Sequence, residues 1–462
     1  MVAIQKALVP GLYLASNYRD VAAPELAARD QYNIVKYLGG AGPYIQLEGF
    51  GIDTKVPDQC TVELVQLYMR HGERYPGLSA GQQQHALVKK LQNYNKTITG
   101  PLSFLNDYTY YVPSDDVYEL ETTPWNSNSP YTGYDTAVKA GAAFRAKYNH
   151  LYNENKTLPV FAAASQRVYD TGNFFAQGFL GPNYLDKTVD HVVLSEEDFL
   201  GINSLVPRWG CKAFNSSSNN ELIAQFPTNY TQDIVKRLTE GNEGLNLTTK
   251  DVSNLFQICA YELSATGYSP FCDIFTQDEL VMNSYASDLL FYYTSGPGGN
   301  LTRTVGAVQL NASLALLKQE KSDNNIWLSF THDTDIEIFH AALGLFDPIE
   351  PLPVNETRFR DMYHHVDVVP MGSRTITEKL KCGDETYVRF IVNDAVVPVP
   401  KCQNGPGFSC KLSDFEAYVA ERLSGIDIVK DCKVPDNVPQ ELTFYWDYQS
   451  GQYNATAERI VR

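Results

Sequence analysis

Three stretches of the chain repeat one pattern: a short apolar run, a tight polar loop, then apolar residues at helical spacing. The first run is VELVQLYM (62 to 69), followed by RHGERYP. The second is LPVFAAA (158 to 164), followed by SQRVYDTGNFFAQGF. The third is NIWLSF (325 to 330), followed by THDTDIEIFHAALGLF. In the third, Ile336, Phe339, Leu343 and Phe346 recur at the intervals of one helix face. In the second, Val168, Phe174, Phe175 and Phe179 form a comparable stripe. Strands alternating with helices predict an α/β fold: a doubly wound, mainly parallel sheet flanked by helices. Ligands of such sheets bind beyond the carboxyl ends of the strands. Each of the three loops lies at that end, and each carries charge.

From about residue 191 to 300 the pattern changes to Asn/Ser-rich turns and helical stretches such as NELIAQF and TQDIVKRL. This predicts a mostly helical cap over 191–300, inserted into an α/β core of 35–190 and 301–462 and forming one wall of the pocket. Residues 1–34 stand apart as an N-terminal arm. PELAARDQYNIVKYL, which begins in this arm, reads as a helix suited to contacts between subunits of a homo-oligomer. After residue 380, YVRFIV, the pair Asn393-Asp394 and AVVPVP predict a β-hairpin with a two-residue turn.

Charge narrows the function. Among 462 residues, Lys plus Arg is 37 and Asp plus Glu is 54, a net charge of −17. Such a surface repels nucleic acid and anionic membranes. An anionic substrate then needs a local basic pocket, so clustered arginines carry more information here than in a basic protein. No stretch has the ~18 apolar residues of a membrane span.

The eight cysteines are Cys60, Cys211, Cys259, Cys272, Cys382, Cys402, Cys410 and Cys432. Their even number and the lack of any CxxC pair favour four disulfides over zinc or dithiol redox chemistry. Glycosylation sequons stand at Asn95, Asn155, Asn215, Asn229, Asn246, Asn300, Asn311, Asn355 and Asn454. Together these features point to the secretory pathway, and so to the cell exterior, wall or periplasmic space. The start, MVAIQKALVPGLYLAS, has one lysine, an apolar run broken by Pro10 and a small-residue end, the outline of an atypical signal or of a mature start.

The densest chemistry is Arg70-His71-Gly72-Glu73-Arg74-Tyr75-Pro76. Phosphoryl transfer needs an in-line nucleophile and positive charge on the equatorial oxygens. Arginine supplies a permanently charged planar fork for those oxygens, and histidine can itself form the covalent intermediate. Gly72 would let the backbone approach a ligand closely. Taken alone, an RHG tripeptide is more often a surface charge cluster. The second group is Thr331-His332-Asp333-Thr334-Asp335. Asp333 can protonate a leaving oxygen and His332 can bind phosphate as a cation. The same residues read otherwise as a metal site of His332, Asp333 and Asp335, or as simple helix capping. The third is Arg167, which alone would be an ordinary salt-bridge arginine.

Together these residues resemble the histidine acid phosphatase family. RHGxRxP is complete from Arg70 to Pro76, His332-Asp333 matches the later His-Asp pair, and AASQRVYDTGNFFAQGF carries the middle arginine. KYLGGAGPYI (36 to 45), NSLVPRWGC (203 to 211), CAYELSATGYSPFCDIFT (259 to 276) and ELTFYWDY (441 to 448) look like the secreted acid phosphatases and phytases of yeasts. The resemblance covers the chain from about residue 35. It implies that His71 attacks phosphorus, that Arg70, Arg74, Arg167 and His332 hold the phosphoryl oxygens, and that Asp333 gives its proton to the leaving alcohol. It implies a phosphohistidine intermediate, no metal and no cofactor. It also implies the disulfides Cys60–Cys382, Cys211–Cys432, Cys259–Cys272 and Cys402–Cys410, where counting alone leaves on the order of a hundred pairings. Glu73 departs from the alanine of filamentous-fungal phytases, so their substrate preference does not transfer directly. Phytate (myo-inositol hexakisphosphate) and a broad range of phosphomonoesters both suit the motifs. A metal-dependent phosphohydrolase and an inactive wall glycoprotein are the readings from other classes.

Overall fold

The computed structural model describes residues 34–186, 189–319, 324–358, 363–450 and 453–459. The apolar runs form β1 (Cys60–Arg70), β2 (Leu158–Ala163) and β4 (Ile326–Thr331), joined by β3 (Val189–Leu194). These four strands are parallel, in the order β3-β2-β4-β1. Beyond β1 the sheet continues antiparallel through β5 (Arg374–Cys382), β6 (Glu385–Val392) and β7 (Ala395–Val396), with β8 (Cys410–Lys411) on β6. The parallel half is the predicted doubly wound sheet. The antiparallel half is built from hairpins, which need no crossover helix. The turn between β6 and β7 is the predicted Asn393-Asp394, with φ of 45° and 65°, the left-handed pair that a type I′ hairpin turn requires.

β2 and β4 are buried along their whole length, and β1 from Leu64 onward. Helices cover both faces, as a parallel sheet demands. On one face Phe175, from the helix Gln166–Leu180, meets Phe330 with ring centroids 5.4 Å apart. On the other, Phe339, from the helix Asp333–Leu343, packs edge-on to Tyr68 at 5.5 Å. The predicted stripes Val168, Phe174, Phe175, Phe179 and Ile336, Phe339, Leu343, Phe346 are all buried.

A second apolar cluster lies apart from the sheet. It joins Ile234 and Leu238 (helix Asn229–Thr239) and Leu255, Ile258 and Leu263 (helix Thr249–Thr266) to Leu87, Val88 and Leu91 of the helix Leu78–Gln92. The helices expected between 191 and 300 therefore share their core with residues 78 to 131, which precede β2. The boundary expected at residue 191 falls inside β3, because His191 to Leu194 pair with Val160 to Ala163 in the sheet. Residues 1–33 of the expected N-terminal arm, with the possible signal, lie outside the described residues. The end of the segment read as a helix, Ile34–Tyr37, is a 3-10 turn.

Four disulfides join Cys60 to Cys382, Cys211 to Cys432, Cys259 to Cys272 and Cys402 to Cys410. The first ties the start of β1 to its in-register partner at the end of β5. Bridges of this kind contribute typically about 2–4 kcal/mol each.

Candidate active site

The strand register brings the polar loops together. Arg70 lies opposite Thr331 at the ends of β1 and β4, and the His71 N–H donates to the Thr331 carbonyl at 3.1 Å. The next residues leave the sheet side by side, so the His71 and His332 rings meet edge-on at 5.9 Å. They border a cavity of about 250 Å³, lined also by Arg74, Glu119, Arg167, Arg208 and Asp333.

Within it, His71 is 1% exposed. Its Nδ1 lies 2.9 Å from the Gly72 carbonyl. A carbonyl only accepts, so Nδ1 carries the proton and Nε2 keeps its lone pair. Burial first, then Arg70, Arg167, Arg74 and His332, hold the ring well below the usual histidine range. The ring is therefore neutral in mildly acidic solution, as a nucleophile requires.

Burial alone would raise the Asp333 carboxyl, but Arg70 first, then His71 and His332, hold it well below the usual range. Its Oδ2 lies 2.7 Å from Arg70 Nη2, and its Oδ1 accepts the Thr334 N–H at 2.7 Å. Arg70 itself is buried behind this carboxylate, where Nη1 donates to the carbonyls of Gly40 and Val369 at 2.7 and 2.5 Å. Arg167 donates from Nη1 to Glu119 Oε2 at 3.2 Å. Burial, with Arg74 adding, lowers Arg167 to about 10, so it stays cationic at any acid pH. Arg74 donates to the Tyr75 carbonyl and lies over the Tyr261 ring, 5.4 Å from its centroid. The Nε–H groups of Arg70, Arg74 and Arg167 are all buried, and among the described residues none has an acceptor. Each such buried donor costs about 1–3 kcal/mol, more when charged. Arg74 and Arg167 on the cavity lining, with Arg70 behind Asp333, make a site that favours an oxyanion.

Other predicted residues take different places. Asp335 does not join His332 and Asp333 as a ligand set, because its Oδ2 pairs with Arg208. Glu73 does not line the cavity either. It is buried, and its Oε1 accepts the Tyr44 N–H at 2.8 Å. Gly72 serves a close approach, but to protein: a Cβ there would stand 2.1 Å from Glu121 Oε1.

Three site residues escaped the sequence reading. Glu196 accepts from His332 Nε2 at 2.9 Å and from the Ser165 N–H at 2.8 Å. It follows β3, so VDHVVL-SEE is a fourth strand with a polar loop, whose signal was present but assigned to the cap. Glu119 fixes Arg167 and accepts the Leu78 N–H at 2.8 Å. Arg208 stands beside Trp209 in NSLVPRWGC, and both line the cavity.

Comparison with known proteins agrees with this geometry. The model of the histidine phosphatase superfamily, branch 2, matches residues 61–393. A phytase of Candida albicans is 51% identical over 461 residues, 99% of this chain and 100% of that one. That alignment extends the resemblance beyond residue 35, into the N-terminal arm. The constitutive acid phosphatase of Saccharomyces cerevisiae is 43% identical over 435 residues, 92% of each chain. The crystal structure of a phytase from D. castellii superimposes with a TM-score of 0.91 at 50% identity, covering 96% of each chain. The chain belongs to branch 2 of the histidine phosphatase superfamily and is a phosphomonoester hydrolase of the acid phosphatase and phytase kind.

Proposed function

We propose that the chain cleaves phosphomonoesters through a phosphohistidine on His71, with phytate as its main substrate. The observation that carries the reading is the set of buried guanidinium Nε–H donors without acceptors, those of Arg74 and Arg167 on the lining of the His71 cavity and that of Arg70 behind Asp333. Arg74, Arg167 and His332 hold the phosphoryl oxygens. Arg70 joins them when the incoming phosphate displaces Asp333 from its guanidinium. His71 Nε2 then bonds to phosphorus, the ester P–O bond breaks, and the leaving oxygen takes a proton from Asp333. Water attacks the phosphohistidine in turn, gives its proton to the Asp333 carboxylate, and the P–N bond breaks.

The guanidinium cluster supplies the positive charge that a metal ion brings to other phosphatases. EDTA is therefore expected to leave the steady-state rate unchanged. Loss of activity on chelation, restored by a divalent cation, would require a metal site instead.

Phytate is favoured over small esters by what adjoins the cavity. Past Gly77 and Glu119 lies a second hollow of about 450 Å³, lined by Gln83, Lys250, Ser253, Asn254 and Gln257. A substrate with several phosphates can place one on His71 and another near Lys250. An exposed charge contact is worth about 0.2–1 kcal/mol. Lys250→Ala should then raise KM for phytate roughly 1.5- to 5-fold and leave KM for nitrophenyl phosphate unchanged. Equal effects on both substrates would favour a broad-specificity acid phosphatase. The nine sequon asparagines are all exposed, as glycosylation requires. With four disulfides this supports a secreted glycoprotein. No helix among the described residues is long and apolar enough to cross a membrane.

A further inference from the structure

Glu121 never reaches the cavity, yet it is bonded to the loop that carries His71. It is 1% exposed. Its segment runs antiparallel to that loop, with the Tyr75 N–H donating to the Leu120 carbonyl and the Thr122 N–H to the Glu73 carbonyl. Glu121 Oε1 accepts the Gly72 N–H at 3.0 Å and the Thr171 hydroxyl at 2.8 Å. The Gly72 N–H is shared with Thr171 Oγ1 at 2.9 Å. Two absent side chains make room for the carboxyl. A Cβ on Gly72 would stand 2.1 Å from its Oε1, and one on Gly133 would stand 2.3 Å from its Cγ.

The other clamps on His71 are main chain: its N–H to the Thr331 carbonyl, and its carbonyl from the Gly372 N–H at 2.8 Å. The other end of that same peptide unit, the Gly72 N–H, is held instead by the side chains of Glu121 and Thr171, and the imidazole Nδ1 leans on the Gly72 carbonyl. A turn of Gly72 therefore swings the ring and redirects Nε2.

We propose that Glu121, through the Gly72 N–H and Thr171, is a positioning residue that aims the attacking nitrogen of His71. The proposal rests on the reading of His71 as nucleophile. Burial above all, with Asp170 and Glu73 adding, raises the Glu121 carboxyl well above the usual range against the hydrogen bonds from Thr171 and Gly72. In acid it is uncharged and serves as an oxygen acceptor, which a glutamine amide reproduces.

The test compares Glu121→Leu and Glu121→Gln in the full chain. It measures kcat and KM on nitrophenyl phosphate, the inhibition constant of inorganic phosphate, and the thermal midpoint. A displacement of about 1 Å can cost on the order of 10²-fold in rate. Leucine should lower kcat by about that factor and leave phosphate inhibition unchanged, since the arginines are untouched. Glutamine should restore most of kcat. If the leucine variant does not fold, Glu121→Ala should show the same split between kcat and phosphate inhibition. The proposal is overturned if leucine keeps full kcat, if glutamine falls as far as leucine, or if kcat and phosphate affinity fall together. A His71→Ala control separates the two failures: activity retained there refutes the nucleophile and not the clamp.

Discussion

His71→Ala is expected to abolish turnover while the protein remains folded. His71 pairs a neutral, lone-pair nitrogen with a loop of arginines. Its Nδ1 is engaged by the Gly72 carbonyl, and burial with the surrounding guanidinium groups keeps the ring unprotonated. Alanine keeps every main-chain clamp on residue 71, so the loop has no reason to unfold. In a serine hydrolase, removing the nucleophile costs on the order of 10⁶ in kcat even with the oxyanion site intact. A loss of comparable order is the expectation for His71. Two measurements check it. Circular dichroism and inorganic phosphate binding should match wild type. Wild-type reactions quenched in alkali should carry an alkali-stable, acid-labile phosphoryl group on His71. Label recovered on a serine or aspartate would remove His71 from its role.

How much of this was legible from sequence depends on the kind of feature. The runs at 62–69, 158–164 and 325–330 became β1, β2 and β4 because each is long and apolar enough to be buried on both faces. Asn393-Asp394 was legible because few residues accept two successive positive φ angles. β3 was missed because HVVL is short and sits where the pattern turns helical. Its partner strand decides it, and a partner is a long-range fact. The same holds for the site. RHGERYP and THDTD announce themselves by local density of charge. Glu119 and Glu121 are acidic residues of one loop with no period or motif to distinguish them, and the acidic run that begins at Glu196 lies inside the segment that reads as cap. Only the sheet register puts Glu196 behind His332, and only the long-range bridge of Arg74 to Glu121 puts Glu121 behind Gly72. Nor did the sequence reveal that Arg70 and Asp333 form an ion pair, which changes how the acid must work.

That ion pair sharpens the expectation for Asp333→Asn. A general acid must carry a proton, yet Asp333 in the ligand-free site is held ionised, chiefly by Arg70. The proton can arrive with the substrate. A phosphate monoester takes up its second proton near pH ~6, and below that pH it enters as a monoanion. Once its oxygens replace the carboxylate on Arg70, Asp333 loses its main stabilising charge and faces an anion, and both changes raise its pKa. The shared proton then passes to Asp333 for use on the leaving oxygen. Above ~6 neither partner brings a proton, so the rate should fall as pH rises through that value. On the acid side the rate should hold until pH reaches the depressed value of His71, since only a protonated ring loses its lone pair. An optimum above neutrality would contradict this. Asparagine keeps the size of Asp333 and its acceptor oxygen but has no acidic proton. Arg70 retains its two carbonyl acceptors, so the fold should stand. General acid catalysis is worth typically about 10²–10⁴-fold. The full loss is expected on phytate or glycerol phosphate, whose alkoxides leave poorly unprotonated. A distinctly smaller loss is expected on nitrophenyl phosphate, whose phenolate leaves readily. Pre-steady-state bursts are the measurement to use, because they isolate phosphorylation from a dephosphorylation step that also involves Asp333. If both bursts fall by one factor, Asp333 acts by holding Arg70 in place, and the proton must come from elsewhere.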